Sequence, residues 1–188
     1  DSVQITVDWH YTISLQSGRE GMIDSTTYFL AYFYPRVAVY DDYRGWDQMT
    51  FTDAQEFYND FNDYTLTVNV PKNYIVWATG TLQNPKEALQ AGYAAKLKAS
   101  MSSNDIIRIA TAEDISAKNI TQQKEMNSWI WKANDISDLA VALSDHYVWD
   151  ASSVVVDNKT GRRASVQAAY NDTAQDFHSM VRFAKHAL

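Results

Sequence analysis

The sequence predicts a mainly β fold: an antiparallel, saddle-like β-sandwich with a short helical insertion and a C-terminal amphipathic helix. Aromatic residues make up 13% of the 188 residues, with 12 Tyr and 6 Trp, and aromatic side chains favour strands. Several segments alternate apolar and polar residues, as half-buried strands do. A helix-start signal followed by an apolar stripe occurs at about residues 85–99 and 173–187, so helices are expected there.

The first strands are predicted from two different patterns. Residues 3–15 are apolar at every odd position and polar at every even position, which indicates a long strand with one solvated face. Residues 26–40 form a nearly unbroken aromatic and aliphatic run through Pro35, which indicates a buried strand. An Asp at Val37 or Val39 is therefore expected to destabilise the fold by several kcal/mol. Residues 50–63 show no clear period and are predicted to form a loop.

The middle of the chain predicts a hairpin followed by an insertion. Residues 64–70 alternate strictly, and Pro71 to Asn73 turn the chain into a second strand at 74–82. Asn84, Pro85 and Glu87 have the spacing of a helix start, and the apolar stripe of that helix consists of Leu89, Tyr93 and Leu97. A short strand at 106–110 and a polar helix or loop at 111–127 follow. Residues 85–127 are interpreted as an insertion that decorates a sheet.

The last third of the sequence predicts three strands, a hairpin and a helix. The strands are expected at 129–133, 139–143 and 147–156, and residues 157–161 form a turn into a partner strand at 164–170. Asp172 and Gln175 have capping-box spacing. The apolar residues of the following helix fall on one face: Phe177, Met180, Val181, Ala184 and Leu188.

Composition excludes several classes of function. The net charge is -7 and the densest basic cluster is the Arg162 and Arg163 pair, so a nucleic-acid partner is not expected. Cysteine is absent, which excludes disulfides, thiolate metal sites and a Cys nucleophile. No stretch approaches the roughly 18 apolar residues of a membrane span. The sequence has no initiator Met or signal peptide and opens within a strand pattern, so we interpret it as a piece of a longer chain.

Catalytic chemistry is not predicted from the sequence. A catalytic zinc site of the H-E-x-x-H type needs two His one helical turn apart, and His10, His146, His178 and His186 include no such pair. We therefore predict no catalytic residue and no metal ligand. Asp41 and Asp42 could share a proton or a cation, but adjacent side chains of a strand point to opposite faces. A strand-ending turn with an Asp capping backbone amides is favoured instead.

Four segments, taken in order, resemble the amino-terminal β domain of zinc aminopeptidases related to aminopeptidase N. They are YFYPRVAVYDDYRGW at 32–46, EFY at 56–58, DYTLTVNVPKNYIVWATGTLQNP at 63–85 and WIWKANDISDLAVALSDHYVWD at 129–150. The resemblance implies a β domain over 1–160, with the insertion at about 85–127. It also implies that 161–188 are the first strand and helix of a thermolysin-like catalytic domain.

The resemblance implies a function for the chain within a parent metallopeptidase. The chain would wall the peptide-substrate cleft, without catalysis of its own, and its partner would be the remainder of the catalytic domain. Zinc is implied for the parent and no cofactor for this chain, and a periplasmic or extracellular location is favoured. The family's β domain lends the active site a Gln or Glu, but residues 28–32 contain neither. Tyr28 and Tyr32 from that segment, together with Trp46, are the candidates for substrate binding.

Two other functions stay open. Exposed aromatic side chains can stack on sugar rings or contact peptides, so a β-sandwich binding module for carbohydrate or peptide is one alternative. The chain has six Trp residues, most of them in apolar runs that predict core packing: Trp9, Trp46, Trp77, Trp129, Trp131 and Trp149. Trp46, in the turn after Asp42, is expected to be exposed. The missing Gln or Glu favours the other alternative, a degenerate, non-catalytic relative that serves as an interaction domain.

Overall fold

The computed structural model describes residues 2–15, 20–50, 52 and 58–188. It is mainly β with antiparallel sheets and a short C-terminal helix, which confirms the predicted fold class. The strands are β1 (Gly21–Asp24), β2 (Thr27–Ala31), β3 (Tyr40–Asp41), β4 (Gly45–Trp46), β5 (Asn62–Pro71), β6 (Ile75–Ala78), β7 (Thr81–Leu82), β8 (Ile107–Ala110), β9 (Met126–Ile136), β10 (Ala140–Ser144), β11 (Val148–Asp157) and β12 (Arg162–Tyr170). The helices are α1 (Pro85–Ala88), α2 (Ala91–Ser100), α3 (Ala112–Ser116) and α4 (Met180–Ala187), and a 3₁₀ turn (Gln175–Ser179) precedes α4. Among the described residues, no helix has the length and apolar character needed to cross a membrane.

The strands of the described residues form three main sheets and one small hairpin. The first sheet has the order β1-β2-β10-β6, the second β5-β9-β7 and the third β12-β11-β8, while β3 pairs with β4 alone. In the second sheet, β9 alternates buried and exposed residues, so Trp129, Trp131 and Ala133 face the core. In the third sheet, the first six residues of β11 are all buried, as expected for a strand covered on both faces.

The core joins residues of all three sheets and of the helices between β7 and β8. Trp129, Trp149, Leu89 and Ile109 are completely buried and belong to one apolar cluster. The segment at 85–127 therefore contributes side chains to the core, and it also contributes strand β8 to the third sheet. The boundary predicted at residue 160 lies in the turn between β11 and β12, and the division into two domains stays a prediction.

Gly80 is required where the chain passes from β6 to β7. Its φ is +100°, a conformation that side-chain-bearing residues rarely adopt, and an added Cβ would collide with the carbonyl oxygen of Lys132. The glycine thus allows β7 to lie directly beside β9.

Several predicted elements are confirmed. Strands occur at 107–110, 126–136, 140–144 and 148–157, and β11 and β12 form the predicted hairpin, with Gly161 at φ +72° in its turn. The turn after β3 is also as predicted. The Asp41 carboxylate accepts hydrogen bonds from the backbone N–H groups of Tyr43 and Arg44, at 3.1 and 2.6 Å. Trp46 is 58% exposed, whereas Trp129, Trp131 and Trp149 are core residues.

The prediction of a strand at 3–15 is wrong. Residues 2–14 form no β ladder with the described chain, and Leu15 makes only an isolated bridge to Met22. The odd apolar side chains are largely exposed, with Val3 at 85% and Ile5 at 74%. The alternation is typical of a strand, but a strand also needs a neighbour to pair its backbone groups.

The prediction of a buried strand over 26–40 is wrong: apart from the buried Thr27 the residues of β2 are half-buried, and the strand does not extend beyond Ala31. Strand β2 ends there, and Tyr32 has a φ of 56°, in the left-handed region, which interrupts an extended chain. Val37 is 81% exposed, so the expectation that an Asp at this position costs several kcal/mol is wrong, whereas Val39 is buried. Pro35 cannot donate to a ladder and Arg36 keeps its charge paired with Asp138, so the apolar run cannot continue as a core strand.

The hairpin predicted between 64–70 and 74–82 is also wrong, although both strands exist. Strand β5 pairs with β9 and strand β6 pairs with β10, so the turn at 71–74 carries the chain from the second sheet into the first. Asn73 has a φ of 75° in this turn, and its N–H donates to Thr121 Oγ1 at 2.9 Å. The local pattern indicated the strands, and distant partners decided the pairing.

Both predicted helices differ from expectation. The first is broken into α1 and α2 because Leu89 is extended, with φ -108° and ψ 153°. The Asn84 side chain does not cap α1; it donates to the Ser128 carbonyl and accepts from Ile130 N, both at 2.9 Å. Before the last helix, no capping box forms between Asp172 and Gln175. Of the apolar stripe of that helix, Val181 is buried, while Leu188 is 64% exposed.

Candidate binding site

A cavity of about 520 Å³ lies among residues of the first sheet, strand β9 and strand β12. We call it the central cavity. Its described lining residues are mostly apolar and aromatic, and none of them is Asp, Glu, Lys or Arg: Ile23, Thr27, Tyr28, Phe29, Trp77, Ala78, Gly80, Trp131, Ala140, Ala142, Leu143, Ser144, Tyr147, Ser165, Gln167 and Ala169. A volume of this size suits a small-molecule group or an amino-acid side chain.

The strand register places these residues side by side. Strand β10 pairs with β2 and β6, so Ala142 lies directly between Phe29 and Trp77. Alternate residues of a strand share a face, which brings Ala140 and Ala142 to the cavity together. The alanines leave open the space that larger side chains would fill.

The hydroxyl groups at one end of the cavity already have partners. Thr27 Oγ1 and Ser144 Oγ lie 2.9 Å apart, and both residues are nearly inaccessible, at 2% and 1% exposure. Ser144 Oγ also accepts a hydrogen bond from the His146 backbone N–H at 3.2 Å.

The side-chain amide of Gln167, on β12, also has hydrogen-bond partners within the protein. Gln167 Oε1 accepts a hydrogen bond from Trp149 Nε1 at 3.1 Å, and Gln167 Nε2 donates to Ser165 Oγ at 3.1 Å. The hydroxyls of Thr27 and Ser144 and the amide of Gln167 thus bond to the protein itself. The indole N–H groups of Trp77 and Trp131, by contrast, are buried with no hydrogen-bond partner among the described residues.

A charged cluster of Asp24, Asp145 and His146 borders this end of the cavity. His146 Nε2 lies 3.3 Å from Asp24 Oδ2, and His146 Nδ1 lies 3.0 Å from Asp145 Oδ1. Burial disfavours the Asp24 carboxylate, but hydrogen bonds from Thr26 N and Thr27 and the neighbouring His146 outweigh it. The pKa of Asp24 is therefore lowered from its ordinary value. The pKa of Asp145 is lowered in the same way, with burial opposed by hydrogen bonds from Thr26 and His146.

The cluster and the neighbouring Ser144 do not form a nucleophilic triad, although Ser, His and Asp side chains lie close together here. In a triad, one imidazole nitrogen faces the nucleophile and the other faces the carboxylate. Ser144 Oγ lies 3.4 Å from His146 Nδ1, but the closer neighbours of that nitrogen are Asp145 Oδ1 and, at 3.1 Å, Thr26 Oγ1. Ser144 is also almost fully buried. The arrangement therefore fixes the loop before β11 and does not activate a hydroxyl.

The three predicted substrate-binding residues lie in different surroundings. Tyr28 lines the central cavity and donates its hydroxyl to the Ser25 carbonyl at 3.1 Å. The Tyr32 ring lies under the Arg36 guanidinium, 5.1 Å from the ring centroid, outside the cavity lining. Trp46 packs edge-on against Tyr40 at 5.1 Å and lines a separate surface pocket. Binding by these residues stays a prediction, and the structure does not bring them together in one cavity.

No metal centre is seen among the described residues, where no group of three or more His, Asp or Glu side chains could hold an ion. His10 and His186 are exposed, and His178 Nε2 lies 2.9 Å from the Asp172 carbonyl oxygen. The zinc implied for the parent protein thus has no ligand set in this part of the chain.

No family model, curated protein or solved structure matches the chain. The relation to zinc aminopeptidases therefore stays a prediction.

Sequence reasoning did not find the central cavity. Most of its walls come from strands recognised as strands, including Trp77 on β6, Ala142 on β10 and Gln167 on β12. One signal was present in the sequence: small residues occur at Ala140 and Ala142, and the strands that pair with them, β2 and β6, carry aromatic side chains. Its meaning depends on which strands pair, and that pairing is non-local.

Proposed function

We propose that the chain is a binding module whose central cavity takes an apolar or aromatic side chain of a peptide. The observation that carries this proposal is the lining: its described residues are mostly apolar or aromatic, none of them is Asp, Glu, Lys or Arg, and the side chains of Thr27, Ser144 and Gln167 already bond to the protein. An ionised group entering this space would lose water without a partner. An apolar group loses nothing comparable, and burying one aromatic or aliphatic side chain contributes about 1.5–3 kcal/mol.

The same lining favours a peptide over a carbohydrate. A sugar ring carries hydroxyl groups that need partners when buried, and the hydroxyls of Thr27 and Ser144 are occupied by each other. A stacking platform would need coplanar, exposed Trp rings. Trp77 and Trp149 instead meet edge to face at 88°, and Trp149 is completely buried.

The aminopeptidase interpretation is retained as a second proposal. In it, the chain walls the peptide-substrate cleft of a larger zinc metallopeptidase and has no turnover alone. Its support is that Tyr28, just upstream of the family-like segment at 32–46, lines a cavity suited to a peptide side chain. Incubation with zinc and aminoacyl chromogenic substrates checks it, and measurable turnover by this chain would contradict the non-catalytic role.

The binding proposal is tested by titration with blocked amino acids. N-acetyl amides of Phe, Leu and Asp and methyl glucoside are each added while two-dimensional NMR spectra are recorded, since the expected affinities are weak. Saturable shifts are expected with Phe and Leu but not with Asp or the sugar. Saturation by the sugar alone, or by no ligand, would overturn the proposal.

Variants locate the site. Ala142→Phe places a ring in the cavity and is expected to weaken N-acetyl-Phe-amide binding at least about tenfold, an apparent loss of about 1.4 kcal/mol. Tyr43→Ala is the matched control. Tyr43 is 90% exposed in the β3–β4 turn, so this substitution removes an aromatic ring that lies outside the cavity. Thermal melts of both variants confirm folding. Unchanged affinity in folded Ala142→Phe would place the binding site elsewhere.

A further inference from the structure

A second cavity lies against the helices between β7 and β8 and shares no lining residue with the central cavity. We call it the helix groove. It has a volume of about 490 Å³ and apolar walls formed by Leu82, Pro85, Ala94, Leu97 and Met101. Its outer wall, at Ala91 and Ala95 of α2, is exposed but carries methyl groups where a solvated helix face usually carries charges.

Two lysines are the charged groups among the described residues of the helix groove. Lys86 on α1 and Lys98 in the last turn of α2 belong to its lining, and none of the described lining residues is Asp or Glu. In the part of the chain that the structure describes, no ion pair of either lysine is seen. The side-chain amide of Gln122 is not available to a ligand as a donor, since its nitrogen donates to the carbonyls of Lys86 and Leu89 at 3.2 and 2.8 Å.

This local charge is opposite in sign to that of the whole chain. The chain carries 23 acidic and 16 basic residues, for a net charge of -7, so an anion is repelled by the protein as a whole. Two ammonium groups beside an apolar floor, with no carboxylate among the described lining residues, favour an anion with an apolar tail. A cationic head would meet like charges there.

We propose that the helix groove binds a soluble amphiphilic carboxylate, with one unbranched alkyl chain along the floor and the carboxylate beside Lys86 and Lys98. Contact of the alkyl chain with Leu82, Leu97 and Met101 supplies most of the affinity, because apolar surface leaves water. The lysines supply the preference for an anionic head, and salt weakens that preference because both side chains are exposed.

Calorimetric titration with three octyl compounds tests the proposal: octanoate and octylammonium below their micellar concentrations, and 1-octanol below its solubility limit. Octanoate is expected to bind most tightly and octylammonium least. Lys86→Gln and Lys98→Gln should each weaken octanoate binding roughly two- to fivefold and leave octanol binding unchanged. Lys159→Gln, in the β11–β12 turn, is the matched control and should bind octanoate like the wild type.

Ala95→Trp tests the location of the site. The Ala95 side chain is exposed, so a larger residue can be added without disturbing the core, and the indole should exclude both octanoate and octanol. Three results overturn the proposal: no saturable binding of octanoate, equal affinity for the three head groups, or full octanoate affinity in folded Ala95→Trp. Each of these results can occur while the central cavity still binds peptide amides. Failure of the helix-groove proposal can therefore be distinguished from failure of the proposed function.

Discussion

Asp150→Ala is expected to destabilise the protein more than any exposed substitution. The Asp150 carboxylate is buried on β11 and accepts hydrogen bonds from Arg108 Nε at 2.9 Å and from the Tyr170 hydroxyl at 2.7 Å. Arg108 lies on β8 and Tyr170 on β12, so one carboxylate bonds to both neighbouring strands of the third sheet. Its removal leaves the buried Tyr170 hydroxyl without that acceptor and the guanidinium without its charge partner.

The magnitude follows from burial. Breaking a buried ion pair by removing one partner costs about 3–5 kcal/mol. The Arg108 side chain is 43% exposed and can return to water, so we expect the lower end, about 3 kcal/mol. For a chain of this size, each kcal/mol lowers the melting temperature by about 2–4 °C, which gives a decrease of about 6–12 °C.

Urea denaturation and thermal melts measure the effect. Asp105→Ala is the control, because Asp105 is exposed and bonds through its backbone, and its expected change is within about 0.5 kcal/mol. A loss below about 1 kcal/mol in Asp150→Ala would show that the three groups do not hold the sheet together, and would refute the reasoning.

Three further outcomes are expected. Val37→Asp should melt within about 2 °C of wild type, because Val37 is 81% exposed. Ile109→Asp, at a fully buried position, should instead prevent stable folding. Similar melts for the two variants would contradict this expectation. Thr111→Ala should cost about 1 kcal/mol in urea denaturation, since the Thr111 hydroxyl accepts from Asp114 N in the capping box of α3, and no loss would show that the box is not stabilising. Burial, and then the hydrogen bonds to Asp114 and Asp150, raise the pKa values of Tyr93 and Tyr170 from 10.0 to about 12. The stability that these two groups contribute is therefore complete below pH 10 and is lost as the pH rises through about 12. Tyr170→Phe should flatten that decline in alkaline urea denaturation, and an unchanged slope would refute the assignment.

The sequence predicted local structure well where packing and pattern agree. The strands around Trp129, Trp149 and Val166 combine alternation with β-branched or aromatic residues, and each is present with those side chains in the core. The turns at Asp41 and Gly161 were also predictable, because their residues suit turn conformations in any context.

Pairing and burial could not be predicted in the same way. The run at 26–40 is apolar enough for a core strand, but the left-handed Tyr32 and the Arg36–Asp138 ion pair direct it to the surface. A side chain 102 residues away in sequence decides that outcome. The central cavity has the same origin, since Ala142 faces open space only because its strand lies between β2 and β6.

The most direct measurement of the central claim follows the six indole N–H signals while N-acetyl-Phe-amide is added. Trp77 and Trp131 line the central cavity, whereas Trp9 and Trp46 are more than half exposed and lie outside its lining. If the cavity binds an apolar peptide side chain, the signals of Trp77 and Trp131 shift together and saturate, while those of Trp9 and Trp46 stay fixed. Saturable shifts at Trp46 with none at Trp77 and Trp131 would contradict the account and place the binding surface in the region of the β3–β4 hairpin.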